Sequence, residues 1–169
     1  PNDINSFIKL ANLLKNNNEI SISLKIIDTG LRLNSKNNLL YKEKIKILYE
    51  IQWFSECIDL LKKKEEKDNE DLLVLLRCYL YTNNFKPIDE VLSKFKPSSF
   101  DYNILECLGH LYRFKKDYDQ ATKKFNKCIS LKPNKIDGYV NLFSVLREDT
   151  NTDATYLLEF TKKQISKFP

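Results

Sequence analysis

His110 is the sole histidine of this 169-residue chain, and Cys107 stands three residues before it. On a helix that spacing puts a thiol and an imidazole on one face, the two groups that a cysteine nucleophile and its base would supply. No nucleophile motif surrounds the pair, and catalysis needs several titratable groups converging on one point. Core packing is therefore the expected role of Cys107. Metal ligation fares no better. Cys57, Cys78, Cys107 and Cys128 are scattered without a C-x2-C pair, and His110 is the only histidine, so a zinc site is not expected. Phosphate-loop, nucleotide-binding glycine and H-E-x-x-H patterns are missing as well. The expectation is no catalysis, no cofactor and no metal, with His110 on a binding face.

The segment that carries His110 has a strict periodicity. Leu105, Leu108 and Tyr112 fall at i, i+3 and i+7, one face of a helix, with Gly109 on the same face. Ala121, Phe125 and Cys128 recur at i, i+4 and i+7, a second helical stripe in which small residues flank a large one. Asp117 followed by Gln120 gives a capping-box start to that second helix, and Pro133 ends it. A helix hairpin with Gly109 packed against Ala121 follows from these spacings. Leu105-x2-Leu108-Gly109-x2-Tyr112, then Ala121-x3-Phe125, then Pro133, closely resembles the tetratricopeptide repeat (TPR) pattern W-x2-L-G-x2-Y…A-x3-F…P.

The same grammar recurs along the chain. Phe7-x2-Leu10-Ala11-x2-Leu14 leads to Ile20, Ser23, Ile27 and Gly30, with Asn16 to Glu19 as a helix-starting box and Ser35 in the proline place. Tyr41, Ile45 and Leu48 with Cys57 and Leu61 form a looser copy, in which Lys44 takes a slot that should be apolar. Leu72, Leu75, Leu76 and Tyr79 with Ile88 and Leu92 form another, its second helix shortened by Pro97. Tyr139, Leu142, Phe143 and Leu146 with Leu157 and Thr161 form the most divergent copy, with a lengthened turn at Glu148 to Asp153. Starts at Ile4, Asn38, Asn69, Tyr102 and Ile136 are 34, 31, 33 and 34 residues apart, near the family period of about 34. The resemblance implies one all-α domain over 1–169, a right-handed superhelix of five hairpins at 4–37, 38–68, 69–101, 102–135 and 136–169.

Composition agrees with helix. Only 3 Gly and 5 Pro, and no alternating strand pattern, argue against sheet. No signal peptide or apolar run long enough to span a bilayer is present, so the expected setting is intracellular and cytoplasmic, with reduced structural thiols. The chain begins at Pro1 and lacks methionine, which suggests excision from a larger protein.

In TPR proteins first helices line the concave surface, so the resemblance implies a groove lined by residues beside each packing stripe. Asn12, Lys42, Lys46, Tyr49, Arg77, Tyr81, His110, Arg113, Phe114 and Arg147 are the candidates, joined by Val140 and Ser144. Cations and aromatics dominate that set. It implies a protein or peptide partner of acidic character, with self-association through the end repeats as a further route. The carboxylate clamp of the chaperone-binding members is absent, because Ile8, Glu43, Glu70 and Val74 stand where Lys, Asn, Lys and Arg are needed. Two other classes follow from the same chain: a non-catalytic arm of a larger enzyme, such as a transferase, or of a complex, and single-stranded RNA binding. A net charge of +5 from 28 basic and 23 acidic residues is a weak signal for nucleic acid.

Overall fold

The computed structural model describes residues 3–64, 66–95 and 100–168. Among them every regular element is a helix. The helices are α1 (Ile4–Asn16), α2 (Ile20–Leu33), α3 (Asn38–Glu50), α4 (Phe54–Lys63), α5 (Asn69–Tyr81), α6 (Ile88–Leu92), α7 (Tyr102–Phe114), α8 (Tyr118–Leu131), α9 (Ile136–Glu148) and α10 (Ala154–Lys167). The chain forms two compact units, 1–66 with α1 to α4 and 67–169 with α5 to α10.

Short polar side chains start most first helices by accepting backbone N–H groups that have no partner within the helix. Asp3 accepts from Asn5, Asn37 from Leu40 at 3.0 Å, and Asp101 from Ile104 at 2.9 Å. Asp68 and Asp71 cap each other reciprocally at the start of α5. Asp117 caps α8 by accepting from the Gln120 N–H at 3.1 Å. The box read at Asn16 to Glu19 does not form: α2 starts after Glu19, whose side chain makes no capping bond. Four hairpins turn through a residue at positive φ, namely Asn18 (65°), Gln52 (61°), Asn83 (51°) and Lys116 (61°). These four turn residues follow the same spacing as the helix starts.

In unit 1–66, Ala11, Ile27, Leu40 and Ile47 form a fully buried cluster. The buried hydroxyl of Ser23 donates to the Ala11 carbonyl at 2.7 Å, and Cys57 Sγ makes the equivalent bond to Ile45 at 3.6 Å, both spanning 12 residues. Lys44, read as a polar intruder in an apolar slot, reaches across to Asp28 on α2 at 2.5 Å. Its aliphatic stem stays on the packed face while the ammonium leaves it. Leu10 departs from its expected place in the core and is 45% exposed.

In unit 67–169, α7 and α8 form the most deeply buried hairpin. Leu105, Leu108, Leu111, Ala121, Phe125 and Cys128 are all essentially without solvent contact. The notch at Gly109 is filled by Phe125 and not by Ala121 as the spacing suggested: a Cβ on Gly109 would lie 2.5 Å from the Phe125 ring. A stripe of small and large residues fixes which faces meet, while the crossing geometry decides which pair touches. Helix α6 ends at Leu92 after five residues. Pro97, the residue expected to shorten it, lies outside the described residues. The turn between α9 and α10 is lengthened, as read, and none of the described side chains of α10 is completely buried.

Candidate functional site

The first helices of unit 67–169 share a register. Arg77 on α5, His110 on α7 and Ser144 on α9 occupy equivalent positions, and Tyr81, Phe114 and Glu148 occupy another row one turn later. Exposed on this face are Arg77, Arg147, Tyr81 (60%) and Phe114 (58%). Phe114 stacks on Phe85 of the α5–α6 turn, ring centroids 6.2 Å apart and planes within 9°. Two aromatic rings are thereby fixed in a flat platform with little side-chain entropy left to lose on binding.

Arg113 is different. Its Nε donates to Glu148 at 2.8 Å and its terminal nitrogen reaches the second carboxylate oxygen, a bidentate clamp between α7 and α9. The hydrogen bonds hold the Glu148 carboxyl below its usual range and the guanidinium above its own. In unit 1–66 Lys15 of α1 pairs with Glu50 of α3 at 2.5 Å, again 35 residues apart. One basic position and the acidic position one residue later in the following copy thus tie neighbouring first helices in both units. Arg113, counted toward a binding face, is thereby neutralised by an acid that the sequence reading left out, and Lys15 is paired in the same way. The spacing of 35 residues, one more than the period, was the available signal.

The remaining candidates of unit 1–66 are placed individually. The Asn12 amide donates to the Ile8 carbonyl of its own helix. Lys46 is exposed and sits 3.9 Å from Glu43. Tyr49 packs edge-on against Phe54, 5.6 Å between centroids, and Lys42 is half-buried.

His110 is half-buried, its ring edge-on to Phe125 at 5.3 Å. Burial pushes its pKa down; Glu106 pulls weakly up and Arg113 adds to the depression. A histidine depressed in the folded state is neutral there at pH values where the unfolded chain already binds the proton. Stability is therefore full above the ordinary value of 6.5 and declines as pH falls below it toward the folded value. As the sole histidine, His110 is the one side chain with an ordinary pKa in the window from about pH 7 to 5.5. Melting temperature should drop across that window, and His110→Gln should flatten the profile. An imidazole pKa at or above 6.5 by NMR titration would refute the packing described.

Burial pushes the thiols of Cys107 and Cys128 up to about 12, and all four cysteines are buried. Cys128 Sγ donates to the Tyr102 carbonyl at 3.7 Å. Among the described residues no three His, Cys, Asp or Glu side chains gather as a metal site, and no helix is long and apolar enough to cross a membrane.

The hairpin register, the buried Gly109 notch and the recurrent 35-residue tie define a helical-repeat protein. Residues 107–135 match the tetratricopeptide repeat family. The chain shares its fold with solved structures at low sequence identity: MamA (15% identical, TM-score 0.79, covering 96% of this chain and 90% of that one) and MamA 41-end from Desulfovibrio magneticus RS-1 (13%, 0.75, 96% and 93%). YrrB, described as a TPR protein with an unusual peptide-binding site, is 18% identical with a TM-score of 0.66 over 98% of this chain and 86% of that one. No curated protein sequence matches it. The chain is an all-α helical-repeat fold, with the tetratricopeptide match resting on residues 107–135.

Proposed function

We propose that this chain is a non-catalytic interaction module that holds a segment of a partner protein on the first helices of unit 67–169. The exposed Arg77, Tyr81, Phe114 and Arg147 on that face carry the reading. Two cations flank stacked aromatic rings, the combination that suits a segment with carboxylates around an apolar anchor. Arg113 helps from behind, since its clamp to Glu148 sets the spacing of α7 and α9 and leaves no charge to offer. The peptide-binding description of YrrB supports the same mode of action for this fold. The 35-residue tie in both units supports counting all five hairpins as copies of one repeating unit.

An array of acidic peptides containing Phe, Leu or Trp, probed with the purified protein, tests the reading. Arg77→Glu combined with Arg147→Glu should weaken capture by about tenfold or more, with helical circular dichroism unchanged because both side chains are exposed. Lys123→Glu with Lys127→Glu, on the exposed side of α8, should leave capture intact. Lys124 is unsuitable as that control because it lies over the Tyr112 ring at 5.8 Å. Damage from the α8 pair instead, or salt-dependent binding of oligouridine with no peptide capture, would move the function to the other face or to RNA.

A further inference from the structure

One stripe recurs on every first helix. Counted from the helix starts, Leu10 of α1 corresponds to Leu75, Leu108 and Leu142 on α5, α7 and α9, each no more than 3% exposed. Leu13 corresponds to Ile47, Cys78, Leu111 and Val145, all without solvent contact. On α1 the same two positions face solvent, Leu10 at 45% and Leu13 at 63%.

What covers the stripe elsewhere is seen at one junction in each unit. In unit 1–66, Lys44, the α3 counterpart of Leu10, reaches Asp28 on α2 at 2.5 Å, and Leu24 and Leu31 of α2 pack on the cluster that holds Leu40 and Ile47. In unit 67–169 a Cβ on Gly138 of α9 would lie 3.0 Å from the Ile129 side chain of α8. Gly138 stands in the stripe one turn before Leu142, and Ile129 is the α8 counterpart of Leu31. The stripe is thus a seat for the second helix of another hairpin, received through the positions of Leu24, Asp28 and Leu31. The chain also presents an open second helix. Leu158 and Lys162 of α10 stand where Leu24 and Asp28 stand on α2, and both are exposed, Leu158 at 55%.

We propose that the α1 stripe is an interface for a second copy of this chain, whose α10 seats on it as α2 seats on α3. In that register Leu158 meets Leu13, and the aliphatic stem of Lys162 lies along Leu10 with its ammonium in water. Apolar side chains exposed on both surfaces are buried together, which drives the contact. The two surfaces differ, so the contact is heterologous: each pair keeps one free stripe and one free α10, and further copies add to it. Arg77 and Arg147 take no part, and the interface is independent of the peptide-binding reading.

Sedimentation velocity of the full chain tests it. Weight-average mass should rise with concentration and pass that of a dimer. Leu13→Glu and, separately, Leu158→Glu should each weaken association about tenfold or more, the transfer worth of one buried leucine. Helical circular dichroism should be unchanged in both, because the two side chains are exposed. An equimolar mixture of the two variants should associate like the parent and stop at the dimer, since one keeps an intact α10 and the other an intact stripe. Arg77→Glu should associate like the parent even where it loses peptide capture. A parent that is monomeric at every concentration, a mixture that stays monomeric, a Leu158→Glu protein that associates like the parent, or an Arg77→Glu protein that no longer associates would each overturn the interface.

Discussion

Gly109→Ala is expected to lower the melting temperature, although alanine is the better helix former by about 1 kcal/mol. The added Cβ would sit 2.5 Å from two atoms of the Phe125 ring, a distance no relaxed contact adopts. Phe125 is fully buried and held edge-on by His110, so the ring cannot swing out to solvent. Overpacking of this kind costs about 1–3 kcal/mol or more, which exceeds the propensity gain. Gly109→Leu should cost more still. Phe125→Leu alone is destabilising because it leaves a void, yet the Gly109→Ala/Phe125→Leu double variant should lose less than the two single losses together. Gly30 gives the contrast: a Cβ there meets Leu40 at 3.1 Å and Phe7 at 3.2 Å, tight contacts that flexible side chains can relax. Denaturant titration of the variants measures the coupling. A stabilised Gly109→Ala, or strict additivity with Phe125→Leu, would mean that the two helices do not meet at this notch.

The second large effect is on thiol reactivity. Cys107 and Cys128, pushed up to about 12 by burial, should carry about a thousandfold less thiolate at neutral pH than a free cysteine. Labelling with a thiol reagent under native conditions should therefore wait for unfolding events, and all four cysteines should react together once denaturant is added. Intact mass after alkylation of the unfolded protein should show four free thiols without prior reduction, and metal analysis should be blank. One cysteine reacting at the rate of a free thiol in the native protein would place it at an accessible site and reopen the nucleophile reading of Cys107 with His110. A native disulfide would contradict the reducing setting expected from the sequence.

The helical hairpins were legible because packing leaves a periodic trace. Each first helix begins at the residue from which its copy was counted, Ile4, Asn38, Asn69, Tyr102 and Ile136, since the stripes that must be buried repeat with the architecture that buries them. Asp117 and Pro133 were readable for a local reason: capping and chain termination act within one turn of the helix. The turn residues Gln52 and Lys116 were not, although their φ values match those of Asn18 and Asn83. A left-handed residue that is neither Gly nor Asn is imposed by the helices it joins and leaves no mark of its own.

The proposed binding face shows the same division. Residue type and register were enough to single out Arg77, Tyr81, Phe114 and Arg147 as candidates, because position on a helix follows from counting along it. Whether a charge is available depends on what lies opposite, and that is a property of three dimensions. Arg113 and Lys15 read as cations until Glu148 and Glu50 are brought against them from the next hairpin. His110 reads as a polar residue until Phe125 packs on its ring. Gln164 reads as an ordinary surface amide until packing buries its oxygen. Periodicity is fixed by which side of a helix faces inward, and it survives in one dimension. Pairing, desolvation and empty space arise between helices distant in the chain, and only their packing decides them.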